Sequence, residues 1–383
     1  MIQDSKNRPL AMLGCGFEGK KLYYQMYRKG IKIECVLDNK KTGLFHGKQI
    51  CNVEEMREKL SQYYILVSTE KFYKEIKDQL ESCGLEEIED FCIGRAYGKK
   101  LMVINANCYG TMIKRFLISS REFDERYYIY PSREVQSKPE LGCDEVAIRK
   151  CDVLLTQDIK EDNPFGFCYA EAYVKGLITE KCICMVIPNL VGMGKCLFLQ
   201  AIRGKDARVG RQMFPYDDVN VQAFAEMGMD EETIIKTIIN GGTYTEKQIL
   251  DNFNGVIEKY KKREEGWDIK IVDFILEKYK EEKVFYENDH CTNIVHKRIT
   301  QEILKKLDIF DKNISCTRVV DDNEMPIYPE VRKVLGLKYG GAKEFIREHY
   351  DIGHVDRWKI LSPMDLEEWL NEYIYWNEFG KTR

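Results

Sequence analysis

The chain has 383 residues, of which 44% are hydrophobic and 32% charged, which is long enough for roughly two to three domains with buried cores. Only 9 prolines and 27 glycines are present, so the composition excludes disordered, collagen-like and low-complexity proteins. The 59 Lys and Arg residues against 63 Asp and Glu give a net charge of −4, without the basic surplus that dominates non-specific nucleic-acid binding. We therefore expect a soluble globular protein that has no nucleic-acid partner.

The cysteines and the apolar stretches indicate the compartment. Fourteen cysteines are scattered from Cys15 to Cys316 with no CxxC pair, which favours reduced thiols in a cytosol over disulfides in a secreted protein. The N-terminus lacks the apolar core of a signal peptide, and the most apolar stretch, 182–199, is interrupted by proline, glycine and lysine. We expect a cytoplasmic protein with no membrane span, and we assign no metal site.

The first hundred residues predict a small Rossmann-like domain with a parallel sheet. An apolar run at 9–13 is followed by a GxGxxG turn at 14–19 and by a helical pattern over 20–29. A second strand over 31–37 ends at Asp38. Further strands are predicted at 64–68 and 88–93, with a helix between them at 71–82.

The glycine turn predicts a ligand. Glycines let a backbone approach a pyrophosphate closely, and the N-terminus of the following helix supplies unpaired N–H groups. Asp38 stands where a dinucleotide-binding fold places the carboxylate that binds ribose hydroxyls. We predict that Gly14, Gly16, Gly19 and Asp38 bind a nucleotide or nucleotide sugar. The alternative is that the glycines serve packing alone.

A second alternating domain follows a polar, glycine-bearing joint at 94–100, so we divide the chain into domains 1–98 and 99–383. A strand at 101–104 passes through Asn105-Ala-Asn107-Cys108-Tyr-Gly into a helix. Cys108 therefore lies at the carboxyl edge of a sheet, where open α/β folds bind ligands. A helix N-terminus favours the nucleophilic thiolate, and amide side chains are oxyanion donors. The alternative is a small buried hydrophobic residue.

The rest of the second domain continues the α/β alternation. Strands at 127–130, 151–156 and 182–187, with helices between them, predict a three-layer α/β/α arrangement around a parallel sheet. A helical insertion covers 230–279, and a last strand over 283–292 ends in polar residues before another helix.

Five histidines are present, and only His290 stands at a predicted strand end before a helix. General base chemistry near neutral pH favours histidine. We predict that His290 is the base, with Asp289 or Glu287 as the carboxylate that orients it. We also predict that the His290 and Cys108 side chains approach within hydrogen-bonding or one-water reach. A histidine that caps its helix is the alternative.

Two resemblances follow from these motifs. The GxGxxG turn, Val36-Leu-Asp-Asn39 and Gly47-Lys-Gln-Ile50 resemble the N-terminal domain of sugar acyltransferases that bind nucleotide sugars. Six later segments resemble the WcbI-type capsular polysaccharide acetyltransferase family, whose fold is similar to SGNH hydrolases, with Ala106 at a family glycine and Cys291 at a family proline. These segments are 104–108, 151–157, 187–189, 284–292, 327–337 and 364–368.

The WcbI resemblance implies acetyl transfer from acetyl-coenzyme A to a sugar hydroxyl of a capsule or exopolysaccharide precursor. Cys108 would attack the thioester or position the acyl group, and His290, with Asp289 beside it, would move the proton. Asn107 would hold the oxyanion. The partner is then a carbohydrate or nucleotide-sugar acceptor, and a homo-oligomer is compatible with the sequence.

The resemblance also implies a coenzyme A site. Basic residues on a glycine-bearing loop that begins at Arg203 are suited to clamp its phosphates, unless that loop is simply solvated. We assign this site to Asn105, Tyr109, Gln157, Asn189, Lys205, Arg208 and Arg211. Two other functions stay open: an SGNH-like esterase, which uses the same chemical groups with water as acceptor, and a non-catalytic protein that binds sugar nucleotides.

Overall fold

The structure is a computed structural model that describes residues 1–137, 142–203, 216–316, 324–340, 345–350 and 359–379. The chain divides into two compact units. The first consists of Met1–Gly110 and Ser120–Met185, and the second of Thr111–Ser119 and Val186–Arg383. The α/β class with parallel sheets is confirmed, whereas the predicted domain division near residue 99 stays a prediction.

The N-terminal sheet has six strands in the order β3-β4-β2-β1-β5-β6. All neighbouring strands pair in parallel except β3 and β4, which form a short antiparallel hairpin. The central strands are fully buried because both of their faces are covered. The elements are β1 (Leu10–Leu13), α1 (Phe17–Arg28), β2 (Ile33–Leu37), β3 (Leu44–Phe45), β4 (Lys48–Cys51), β5 (Tyr64–Val67), α2 (Tyr73–Ser82) and β6 (Phe91–Ile93).

A second sheet has four strands in the order β10-β9-β7-β8. Strand β7 pairs in parallel with both β8 and β9. Parallel strands place their carboxyl ends at one edge, and the loops after β7 and β9 therefore meet there. The elements are β7 (Lys100–Asn105), α3 (Cys108–Ser119), α4 (Arg121–Arg126), β8 (Tyr127–Ile129), α5 (Glu145–Lys150), β9 (Val153–Gln157), α6 (Glu171–Leu177) and β10 (Ile183–Ile187).

Within the first unit, the two sheets share one hydrophobic core that extends from Ile2 to Val174. A buried carboxylate, Glu87, reinforces this contact. It accepts hydrogen bonds from the Tyr73 hydroxyl at 2.7 Å and the Tyr130 hydroxyl at 2.8 Å, and it pairs with Lys77 at 2.6 Å. A buried carboxylate is stable only with several donors. Since these donors come from α2 and from the end of β8, Glu87 links the two elements.

The second unit is mainly helical around the chain segments that follow β10. Helix α9 is its longest helix among the described residues and begins with a capping box between Thr245 and Gln248. The elements are β11 (Ala201–Arg203), β12 (Tyr216–Asp218), α7 (Val219–Glu226), α8 (Glu231–Ile239), α9 (Glu246–Glu264), α10 (Val272–Lys278), α11 (Asn293–Lys306), α12 (Pro329–Leu335), β13 (Phe345–Tyr350), β14 (Lys359–Met364) and α13 (Leu366–Phe379).

One predicted strand is wrong. Residues 283–292 form a tight loop, closed by a single antiparallel bridge between Phe285 and Cys291. The Tyr286 N–H donates to the His290 carbonyl at 2.9 Å, and the Thr292 N–H donates to the Val284 carbonyl at 3.0 Å. The loop folds back on itself within six residues, so its apolar residues are buried without a neighbouring strand.

Candidate active site

The turn after β7 presents a thiol at the start of a helix. Cys108 is the first residue of α3. The Asn107 side-chain oxygen accepts a hydrogen bond from the Tyr109 N–H at 3.0 Å, so Asn107 caps the helix. Of residues 101–110, only Asn107 and Cys108 are not fully buried. The turn therefore leaves one thiol and one amide side chain partly exposed at the N-terminus of α3.

Buried polar side chains support this turn from inside the fold. Gln157, at the end of β9, is fully buried, and its side-chain oxygen accepts the Asn107 N–H at 3.0 Å. Asn105 donates to the Thr156 hydroxyl at 3.0 Å and to the Tyr169 carbonyl at 2.9 Å. Tyr109 is only 1% exposed. These three side chains support the turn, and their predicted contact with a cofactor stays a prediction.

The alanine at position 106 is accommodated by a glycine four residues later. A Cβ atom on Gly110 would lie 2.9 Å from the Ala106 Cβ and 2.9 Å from the Ile104 Cγ2. The Ala106 carbonyl accepts a hydrogen bond from the Val135 N–H at 3.1 Å. Alanine at this position is therefore compatible with a closely packed first turn of α3, because residue 110 has no side chain.

The second candidate segment is the loop that carries His290. Its ring nitrogen Nδ1 contacts the Glu287 carboxylate, whose side chain is only 4% exposed. The other Glu287 oxygen accepts the Asp289 N–H at 2.5 Å. Of the two carboxylates considered as the orienting group, Glu287 therefore makes the contact with the imidazole. A carboxylate on Nδ1 fixes the ring orientation and leaves proton exchange to Nε2.

Two residues that were not predicted from the sequence lie against this loop. Gly194 approaches it closely: its N–H donates to the Asn288 carbonyl at 3.0 Å, and a Cβ atom would lie 2.2 Å from the Glu287 carbonyl oxygen. The Tyr216 hydroxyl bonds Glu287 and Asp289, and burial together with these two negative charges raises the Tyr216 pKa. A glycine in the apolar 182–199 stretch was the only sequence signal for Gly194.

Behind the loop lies a second histidine that is shielded from water. His296 is 1% exposed on α11, and its Nε2 lies 3.4 Å from the Cys291 thiol. Burial, with a smaller contribution from the charge of His290, lowers the His296 pKa to about 3. The imidazole is therefore neutral at physiological pH and packs with the helix core, which distinguishes it from His290.

Asn189, another predicted ligand residue, lies on a loop of the second unit. The Asn189 side-chain oxygen accepts the Val191 N–H at 3.4 Å, just after β10, and its amide is half-buried. Lys205, Arg208 and Arg211 lie outside the described residues. The predicted phosphate clamp therefore stays a prediction.

The GxGxxG turn of the first sheet has a different chemistry. Gly14 has φ +97°, and a Cβ atom on Gly19 would lie 2.1 Å from the Gly14 carbonyl oxygen. The Asp38 carboxylate accepts the Cys15 N–H at 3.0 Å and thiol at 3.1 Å, and also the N–H groups of Lys40 and Lys41 at 2.9 Å. Two of the glycines and the carboxylate thus have structural partners, and nucleotide binding stays a prediction.

The fold and these two segments define an α/β protein that presents a cysteine at a strand-to-helix turn and a carboxylate-bound histidine on a separate loop. Residues 101–312 match the model of the family described as polysaccharide biosynthesis enzyme WcbI. The chain belongs to this family, which makes it a polysaccharide biosynthesis enzyme. Residues 6–89 match a second model, described as C2185-like, N-terminal.

A solved structure of WcbI supports the fold. It is described as a novel polysaccharide biosynthesis enzyme, in the native form without a disulfide bond between coenzyme A and one of its cysteines. It is 17% identical to this chain and covers 73% of it, with 90% of its own length aligned and a TM-score of 0.60. Among curated proteins there is no match. No helix in the described part of the chain has the length and apolar character needed to cross a bilayer.

Proposed function

We propose that this protein transfers an acetyl group from acetyl-coenzyme A to a hydroxyl group of a sugar used in polysaccharide biosynthesis. The observation that carries the proposal is the position of Cys108, partly exposed at the first residue of α3, on a turn that is buried apart from Cys108 and Asn107. A thiol at a helix N-terminus at the carboxyl edge of a parallel sheet is placed for nucleophilic chemistry.

Cys108 supplies the nucleophile. Its thiolate attacks the carbonyl carbon of the acetyl thioester, and the carbon–sulfur bond of the donor breaks to release coenzyme A as a thiolate, which takes a proton from solvent. The acetyl group is then held as a thioester on Cys108. In the second half of the reaction, a sugar hydroxyl attacks this carbonyl and regenerates the thiol.

Asn107 supplies the oxyanion donor. Its side-chain oxygen faces the Tyr109 N–H, which orients the amide and directs its nitrogen the other way. Within the described part of the chain, this nitrogen donates no hydrogen bond. A donor held in advance, next to the nucleophile, stabilises the negative charge that develops on the carbonyl oxygen.

His290 supplies the base. The Glu287 carboxylate holds Nδ1, so Nε2 accepts the proton of the sugar hydroxyl and returns it to the leaving group. Tyr216 and the N–H of Asp289 hold Glu287 in turn. In this assignment Glu287 is a positioning residue, and Asp289 acts on Glu287 through its backbone.

The donor requires an activated acyl thioester and cations for its phosphates. Cys108 fits the thioester end, because thiol–thioester exchange conserves bond type and needs no metal. The predicted cations, Lys205, Arg208 and Arg211, belong to the same proposal. The N-terminal domain is proposed to bind the nucleotide portion of the sugar acceptor, through the open surface beside Gly16, where a Cβ atom would meet nothing within 4 Å.

The experiment measures where the acetyl group goes. The purified protein is mixed with labelled acetyl-coenzyme A and a panel of nucleotide sugars, and free thiol, free acetate and acetylated sugar are quantified together. Acceptor-dependent release of thiol with a labelled sugar supports the transferase. Stoichiometric free acetate without any acceptor supports the esterase instead.

A binding measurement separates the third alternative. Calorimetry with coenzyme A and with the same nucleotide sugars is run on the wild type and on Cys108→Ala. The transferase requires that both ligands bind the wild type. Binding of a nucleotide sugar with no binding of coenzyme A would reject acetyl transfer and leave a non-catalytic protein.

A further inference from the structure

Two cysteines far from Cys108 in sequence lie side by side at the amino ends of neighbouring strands. Cys151 precedes β9 and Cys182 precedes β10, and their sulfur atoms are 3.5 Å apart. The Ile183 N–H donates to the Asp152 carbonyl at 2.9 Å, so the sheet itself ties the two segments together. The sulfurs need to move by only about 1.5 Å to reach the length of a disulfide bond.

The two thiols differ in access and in acidity. Cys151 is 5% exposed, whereas Cys182 is only partly buried. The hydrogen bond from Cys151 lowers the pKa of the Cys182 thiol, and that same contact, together with burial, raises the pKa of Cys151. Attack on an external disulfide or peroxide requires an accessible thiolate. Cys182 is the more accessible of the two thiols and the one whose pKa is lowered, and Cys151 is within reach to complete the exchange.

We propose that Cys151 and Cys182 form a redox-active dithiol, which a low-molecular-weight disulfide such as oxidised glutathione converts to an intramolecular disulfide. The Cys182 thiolate attacks one sulfur of the oxidant, and the first small thiol leaves. Cys151 loses its proton to solvent and attacks the Cys182 sulfur, which expels the second small thiol. Two electrons pass from the protein to the oxidant, and the net products are one protein disulfide and two small thiols.

The consequence concerns the strand that supports the proposed active site. Oxidation would link the amino ends of β9 and β10 covalently, and β9 ends at Gln157, which accepts the Asn107 N–H. The cross-link closes a loop between positions 31 residues apart. Since closing such a loop restricts the unfolded chain, the oxidised protein should melt roughly 3–6 °C higher than the reduced protein.

The test is a redox titration of the full-length protein. Samples are equilibrated in buffers of graded reduced and oxidised glutathione, quenched in acid and alkylated, and then digested with trypsin. Cleavage after Lys150 and Lys181 releases one peptide with Cys151 alone and another that contains Cys182 and Cys184. Fragment-ion sequencing assigns the cross-link to Cys182 or Cys184, and the Cys184→Ala variant checks this assignment.

The proposal expects a cross-linked peptide that titrates as a two-electron couple. In Cys151→Ala, a mixed disulfide with glutathione should accumulate on Cys182. In Cys182→Ala, the Cys151 thiol should be lost at least about tenfold more slowly than in the wild type. Cys83→Ala, which removes a half-buried cysteine at the end of α2, is the matched control and should behave as the wild type. Absence of the 151–182 cross-link in the wild type under oxidising buffer would overturn the proposal.

Discussion

Two strand-to-helix turns of the first unit begin alike and differ in how their polar groups are used. In the GxGxxG turn, Gly14 and Gly19 make room for the backbone, and Asp38 binds N–H groups of the turns around it. In the turn before α3, buried Gln157 and Asn105 support the backbone, and Cys108 and Asn107 stay partly exposed. A glycine pattern therefore indicates backbone geometry, whereas a partly exposed thiol and amide on a buried support indicate where chemistry can occur.

Removal of the Cys108 thiol should have the largest effect on activity. Cys108→Ala should reduce acetyl transfer by roughly a thousandfold or more, because no neighbouring group replaces the nucleophile. The melting temperature should change little, because the side chain is only half-buried. Steady-state transfer kinetics and a thermal melt check both outcomes. If Cys108→Ala keeps a tenth or more of the wild-type activity, Cys108 is not the nucleophile.

The oxyanion role of Asn107 can be separated from its capping role. Asn107→Asp keeps the acceptor that caps α3 and loses the N–H donor, so kcat should fall roughly a hundredfold with little loss of stability. Asn107→Ala loses both and should also cost about 1 kcal/mol in the free energy of unfolding. Kinetics and denaturant unfolding of the two variants are compared. Equal kcat in Asn107→Asp and the wild type would contradict the role.

Substitutions in the GxGxxG turn should change the stability of the protein. Gly19→Ala places a methyl group against the Gly14 carbonyl oxygen and should lower the free energy of unfolding by roughly 1–3 kcal/mol. Gly16→Ala is the matched control: its Cβ has open space and its φ is −75°, so the loss should stay within about 0.5 kcal/mol. Loss of nucleotide-sugar affinity in Gly16→Ala, without loss of stability, would favour ligand binding over packing.

Replacement of Asp38 should have a smaller effect on the free energy of unfolding than Gly19→Ala, and this effect should depend on pH. Burial raises its pKa, but hydrogen bonds led by the Cys15 N–H outweigh this and hold the Asp38 pKa below its usual value. The carboxylate is thus a weaker base folded than unfolded. Its stabilising contribution is complete above the unfolded pKa of about 3.9 and is lost as the pH falls through the folded value.

Asp38→Asn should therefore cost about 1–2 kcal/mol at neutral pH, and the difference from the wild type should shrink below about pH 4. Denaturant unfolding across a pH series measures this. A difference that is constant with pH would mean that ionised Asp38 does not hold the turn.

The fold was largely predictable because its central strands are unbroken apolar runs. Residues 10–13, 64–67 and 153–157 are buried throughout, and such runs between glycine or polar turns predict parallel strands. Strands β3 and β4 were missed, since of their six residues only Phe45 and Ile50 are buried. The strand predicted over 283–292 was wrong, because an apolar run can also be buried by closing on itself.

The local structure around the proposed site residues was predictable only in part. Position after a predicted strand pointed to Cys108 and to His290, although the segment before His290 is a loop and not a strand. Only the structure distinguishes Glu287 from Asp289 as the partner of His290, because both carboxylates lie within three residues of the histidine in the sequence. Tyr216 contacts them from more than 70 positions away in the sequence, and no local pattern encodes such a contact.

Peptide mass spectrometry tests most directly whether Cys108 carries the acetyl group. The protein is mixed with acetyl-coenzyme A without acceptor, quenched in acid and digested with trypsin, which releases residues 101–114 with Cys108 as the sole cysteine. We expect one acetyl group on this peptide, absent in Cys108→Ala and transferred when the acceptor sugar is added. An unmodified peptide in a protein that still acetylates sugars would contradict the covalent mechanism.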